Sequence, residues 1–131
     1  MSDLLTPGDQ RTCLELARRA LEQYFETGRR VHSPVKSGIL KENRGAFVTL
    51  TVDGQLRGCI GYPLPVKPLD ETIIEMAVAA ATQDTRFEPL RADELKRLKI
   101  EISVLGLPKP VRGPEEVEVG RHGIIVSKGY F

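Results

Sequence analysis

The sequence predicts an α+β fold, a mostly antiparallel β-sheet covered on one face by two main helices. Three observations lead there. Two segments repeat apolar residues at helical spacing. Two strand-like runs flank Asp53-Gly54, a dipeptide suited to a hairpin turn. Residues 98–105 contain a clear alternation of apolar and polar types.

The first helix opens with Thr6 as N-cap, Pro7 at the first helical position and Asp9 near the positive end. Leu14, Ala17, Leu21, Tyr24 and Phe25 form its apolar face, and Gly28 is its C-terminal cap. Residues 31–45 read as loop, from Ser33-Pro34 through Ser37-Gly38 to the charged run 41–45. Residues 47–52 read as a strand, and Gln55 to Ile60 as its return. The proline-rich stretch 62–68 ends that strand stiffly. The second helix starts near Pro68, with Asp70 and Glu71 in its first turn. Leu69, Ile73, Met76, Ala77 and Ala80 share one face, and the run 77–81 is small and apolar enough for close packing. Ala92 to Arg97 suits a short helix. In the strand that follows, Ile100, Ile102 and Val104 point inward, Glu101 and Ser103 outward. Residues 111–123 read as loop or edge, with a short strand around Val117 and Val119, and Gly123 to Ser127 as the last strand.

The hairpin register decides which side chains share a face. A uniform two-residue loop pairs Leu50 with Arg57 and Val48 with Cys59, mixing types on both faces. A three-residue loop over Val52-Asp53-Gly54 pairs Leu50 with Leu56, Val48 with Gly58, Thr49 with Arg57 and Phe47 with Cys59. One face is then apolar and the other carries Thr49, Arg57 and Cys59. Register follows the buried face, so the three-residue loop is the expectation.

Bulk properties narrow the class of function. At 131 residues the chain fits one domain, spanning 1–131. A net charge of +1 argues against a binder driven by phosphate neutralisation. No window reaches the roughly 18 apolar residues of a membrane span, and the first residues lack the pattern of a secretory signal. Cys13 and Cys59 are too few for a disulfide scaffold or for a zinc site on their own. A cytoplasmic protein with reduced thiols is the expectation. The apolar ending Tyr130-Phe131, just after a strand, suggests a chain cut short at its C-terminus.

Leu56-Arg57-Gly58-Cys59-Ile60-Gly61 is the segment richest in chemistry. Gly58 and Gly61 within a strand mark a bulge or a close approach by backbone or ligand. Cys59 is a candidate nucleophile or thiol ligand, since a thiolate beside a guanidinium is reactive. Its alternative is a small buried residue under a helix. Arg57 is a candidate fork for an anionic substrate group, or a partner of Glu101 or Asp84 within the sheet. Asp84 and Arg86 read as a polar pair at a pocket rim, or as helix termination. His122 is a candidate acid, base or metal ligand, or a surface turn residue. His32 has no partner pattern. No P-loop, G-x-G-x-x-G, H-E-x-x-H or C-x-x-C occurs, so nothing indicates a nucleotide cofactor, a zinc protease or a radical-SAM cluster.

These residues are similar to a known family. The segment 56–61 matches the LRGCIG signature of the AMMECR1 domain. Asp84-Thr85-Arg86-Phe87-Glu88-Pro89 resembles the family's D-x-R-F-x-P element, and Glu94-Leu95 its E-L pair. Residues 100–105 resemble its I-E-[IV]-S-V-L stretch, and 119–124 its V-G-x-H-G-[LI] segment. The family domain usually continues through a G-x-L-L-L-P-Q stretch, and the sequence here stops at Phe131, before that part. The resemblance implies an α+β domain and supplies no reaction. Its microbial members are often encoded beside a Memo-like protein and a radical-SAM protein, which implies a shared pathway by association.

Three functions follow as expectations. The first is an enzyme or enzyme subunit with a small pocket around Arg57, Cys59 and His122, with Gly58, Gly61, Asp84 and Arg86 contacting an anionic substrate. The second is a non-catalytic adaptor in which the same motif is a structural corner. The third is a nucleic-acid-associated regulator using Arg29, Arg30, Lys41 and Arg44, which the near-neutral charge disfavours.

Overall fold

Helix α1 spans Pro7–Thr27 because the sequence stops it chemically at both ends. In the computed structural model, which describes residues 5–106 and the backbone of 123–130, a reciprocal capping box closes its start. Thr6 Oγ1 accepts from the Asp9 N–H at 3.0 Å, and Asp9 accepts from the Thr6 N–H at 3.1 Å. At the other end Gly28 takes the left-handed conformation, with φ 75°, and its N–H reaches Tyr24 O at 2.7 Å.

The remaining elements are strand β1 (Ala46–Val52), β2 (Gln55–Tyr62), helix α2 (Leu69–Thr82), a 3-10 helix (Ala92–Arg97), β3 (Leu98–Leu105) and β4 (Gly123–Tyr130). The loop 31–45 holds one 3-10 turn, Ile39–Lys41, and the last strand runs beyond Ser127 to Tyr130. The suggested strand at Val117 and Val119 lies outside the described residues. The strands form one antiparallel sheet in the order β2-β1-β3-β4. The α+β expectation holds. No helix among the described residues is long and apolar enough to cross a membrane.

The hairpin register differs from the expectation. The turn has two residues, Asp53 and Gly54, with φ of 52° and 81°. Two successive positive φ values are what a type I′ hairpin turn needs. Val52 faces Gln55 and Thr51 faces Leu56. The register then slips, so that Leu50 faces Gly58, Thr49 faces Cys59, Val48 faces Ile60 and Phe47 faces Gly61. Arg57 is the extra residue of a β-bulge. The predicted pairings of Thr49 with Arg57 and Phe47 with Cys59 are therefore wrong. A uniform register forced a choice between a good turn and a clean apolar face. The bulge supplies both, because one extra residue changes the phase of β2 halfway along.

The core lies between the sheet and its two helices. Ala46, Val48, Leu50 and Val52 of β1 are buried, as are Leu98, Ile100, Ile102 and Val104 of β3. Burying each Val, Leu or Ile among them contributes roughly 1.5–3 kcal/mol. Helix α2 packs on β1 and β2, and α1 packs on β3 and against α2. Two charged side chains tie the connections to this core. Lys41 Nζ bonds the fully buried Asp70 at 2.9 Å, joining the loop to α2. Buried Arg18 donates to Leu95 O at 2.7 Å and Leu98 O at 3.0 Å, joining α1 to the start of β3.

The layers approach closely at Gly58. A Cβ there would lie 1.9 Å from the Ala80 carbonyl oxygen of α2. Backbone cannot move aside as a flexible side-chain end does, so any larger residue pushes α2 off the sheet. Gly58→Ala is expected to destabilise the fold by about 3 kcal/mol or more, read as the shift in a chemical denaturation midpoint. A loss under about 1 kcal/mol would show that α2 is not seated there.

Candidate functional site

Strand β2 is at the edge of the sheet, and the chain leaving α2 runs along its outer side. The Cys59 N–H, pointing away from β1, donates to Asp84 Oδ2 at 3.0 Å. Asp84 is gripped in turn by Arg86, through Nε at 2.9 Å, Nη2 at 2.7 Å and the backbone N–H at 3.1 Å. The Arg86 fork, followed by the Cys59 N–H, holds the Asp84 carboxyl well below the usual carboxylate range. Arg86 is raised above its ordinary value, chiefly by Asp84 and in small part by Cys59. Its guanidinium also lies over the Phe87 ring, 5.2 Å from the centroid.

Arg57 faces the strap that residues 84–94 form along β2, rather than the thiol. Its Nε and Nη2 each bond a different oxygen of Glu94 at 2.9 Å. Nη1 donates to Glu88 O at 3.1 Å and Nη2 to Pro89 O at 3.4 Å. The bulge aims Arg57 out of the strand's regular alternation and toward this strap. Its ion-pair partner is Glu94, not Glu101 or Asp84. Hydrogen bonding from Arg57, then from the Arg91 N–H, holds the Glu94 carboxyl down to about 2 against partial burial.

Cys59 lies on the sheet face turned away from the helices, the side opposite Gly58. Its Sγ is 3.1 Å from Thr49 Oγ1. Glu101 follows Thr49 on β3, so Cys59, Thr49 and Glu101 form one row across three strands. The neighbouring row is Gly61, Phe47 and Ser103. A Cβ on Gly61 would meet the Phe47 ring at 2.3 Å, so this glycine is a seat for an aromatic ring. Beside the thiol row a cavity of about 220 Å3 is lined by Thr49, Thr51, Gly54, Lys99, Ile100 and Glu101.

Cys59, Asp84 and Arg86 thus come together, with Arg57 and Gly58 directing the backbone around them. Gly61 borders the group through Phe47. His122 lies outside the described residues. Cys13 is remote from this face, buried in α1, and burial pushes its thiol up to about 12. Among the described residues no group of three or more His, Cys, Asp or Glu could hold a metal ion. Of the four basic residues proposed for nucleic acid, Arg44 is buried and Lys41 is committed to Asp70. Sequence reasoning passed over Thr49 as the partner of the thiol and Glu94 as the partner of Arg57. The first was hidden by the bulge. The second sits in the E-L pair, a signal present in the sequence.

The AMMECR1 family model matches residues 14–131. The chain belongs to the AMMECR1 family. It is 44% identical over 138 residues to Protein MK0488 of Methanopyrus kandleri, covering 98% of this chain and 67% of that one. A Thermococcus gammatolerans protein is 44% identical over 129 residues, covering 90% and 63%. The crystal structure of an uncharacterized protein, PH0010 from Pyrococcus horikoshii, superposes with a TM-score of 0.71 at 41% identity. That match covers 79% of this chain and 54% of the other. The AMMECR1 chain described here spans about two thirds of the length of the curated relatives.

The strap of this AMMECR1 domain makes its stability pH-dependent. Glu94 has a folded pKa below its ordinary value, so its contribution is present above about pH 4.5 and is lost as the pH falls toward about 2. The stability difference between the native chain and Glu94→Gln should therefore shrink over that interval in thermal melts. A difference independent of pH would contradict the pairing. Arg57→Gln should cost about 1–3 kcal/mol at neutral pH, because it strands a carboxylate and two carbonyls.

Proposed function

We propose that this AMMECR1 domain is an enzyme or enzyme subunit with a small-molecule site on the open face of its sheet. Cys59 supplies the thiol, as nucleophile or ligand. The single observation behind this reading is the 3.1 Å contact between Cys59 Sγ and Thr49 Oγ1, on the face away from the core. A thiol serving only as packing belongs under a helix, where Cys13 is. Thr49 can donate to a thiolate, and Asp84 holds the backbone that carries it. The anionic substrate expected from the sequence is drawn by a cation bordering this face, Arg86, whose side chain is 59% exposed. Arg57, with its donors engaged on the strap, serves as a positioning residue in this reading.

The adaptor reading has one observation of its own. Leu56, Tyr62, Leu64 and Val66 are large apolar side chains left exposed on β2 and the connector after it. In that reading the connector meets a protein partner, and the Memo-like and radical-SAM proteins implied by the resemblance are the ones to test by copurification.

Alkylation separates the two. Iodoacetamide should modify Cys59 in the folded protein at least about tenfold faster than Cys13, with Cys13 reacting only on unfolding. Peptide mass mapping reads both sites in one sample. If Cys59 stays unmodified until the fold is lost, the thiol site is refuted and the adaptor reading stands.

A further inference from the structure

We draw no further inference here: the strongest candidate, the groove of about 270 Å3 between the C-terminal ends of α1 and α2, has an apolar floor of Met76, Val78 and Ala79, its rim charges Arg30 and Glu75 are paired with each other, and nothing in the structure shows what covers it.

Discussion

The closure of one sheet edge organises this domain. An edge strand presents unpaired N–H and C=O groups that invite other chains. Here the chain that leaves α2 lies along β2 and holds it at two points. Asp84 takes the Cys59 N–H, and Glu94 takes the Arg57 fork. The bulge makes both anchors possible. By inserting Arg57 as an extra residue it sends one side chain toward the strap, then restores alternation so that Gly58 faces α2 and Cys59 faces outward. Three segments far apart in sequence, 56–61, 84–89 and 94–95, are thereby joined into one unit.

That unit divides structural from chemical tasks among neighbouring residues. Gly58 is the contact with α2, and Gly61 is the seat of Phe47. Arg57 serves the strap. What remains is the thiol, carried on a backbone fixed from both sides: by β1 through the ladder and by Asp84 at the edge. In the thiol-site proposal such fixing counts, because geometry held by the scaffold costs nothing to organise when a ligand arrives.

Much of the architecture was legible in the sequence, and the reasons are local. Thr6, Asp9 and Gly28 announce α1 through caps that act within one turn. The alternation in β3 is legible because buried and half-buried residues alternate along its whole length. The hairpin register was misread because a bulge has no local sequence mark apart from a glycine, and its reward lies in the distant packing of Gly58 on Ala80. The sequence draws attention to the thiol but not to its neighbours. Thr49 is its neighbour only after the slip, and Glu94 is reached only when the strap folds back 37 residues along the chain. Cross-strand partners are tertiary facts, invisible to a reading that proceeds residue by residue.

The central claim is that the strap closes the β2 edge at Cys59. Native-state hydrogen exchange at the Cys59 amide tests it directly, with Asp84→Ala as the perturbation. The account predicts a Cys59 amide protected in the native chain and exchanging like an open edge in the variant, while Val48 and Leu50 stay protected. An exposed Cys59 amide in the native chain, or equal protection in both, would contradict it.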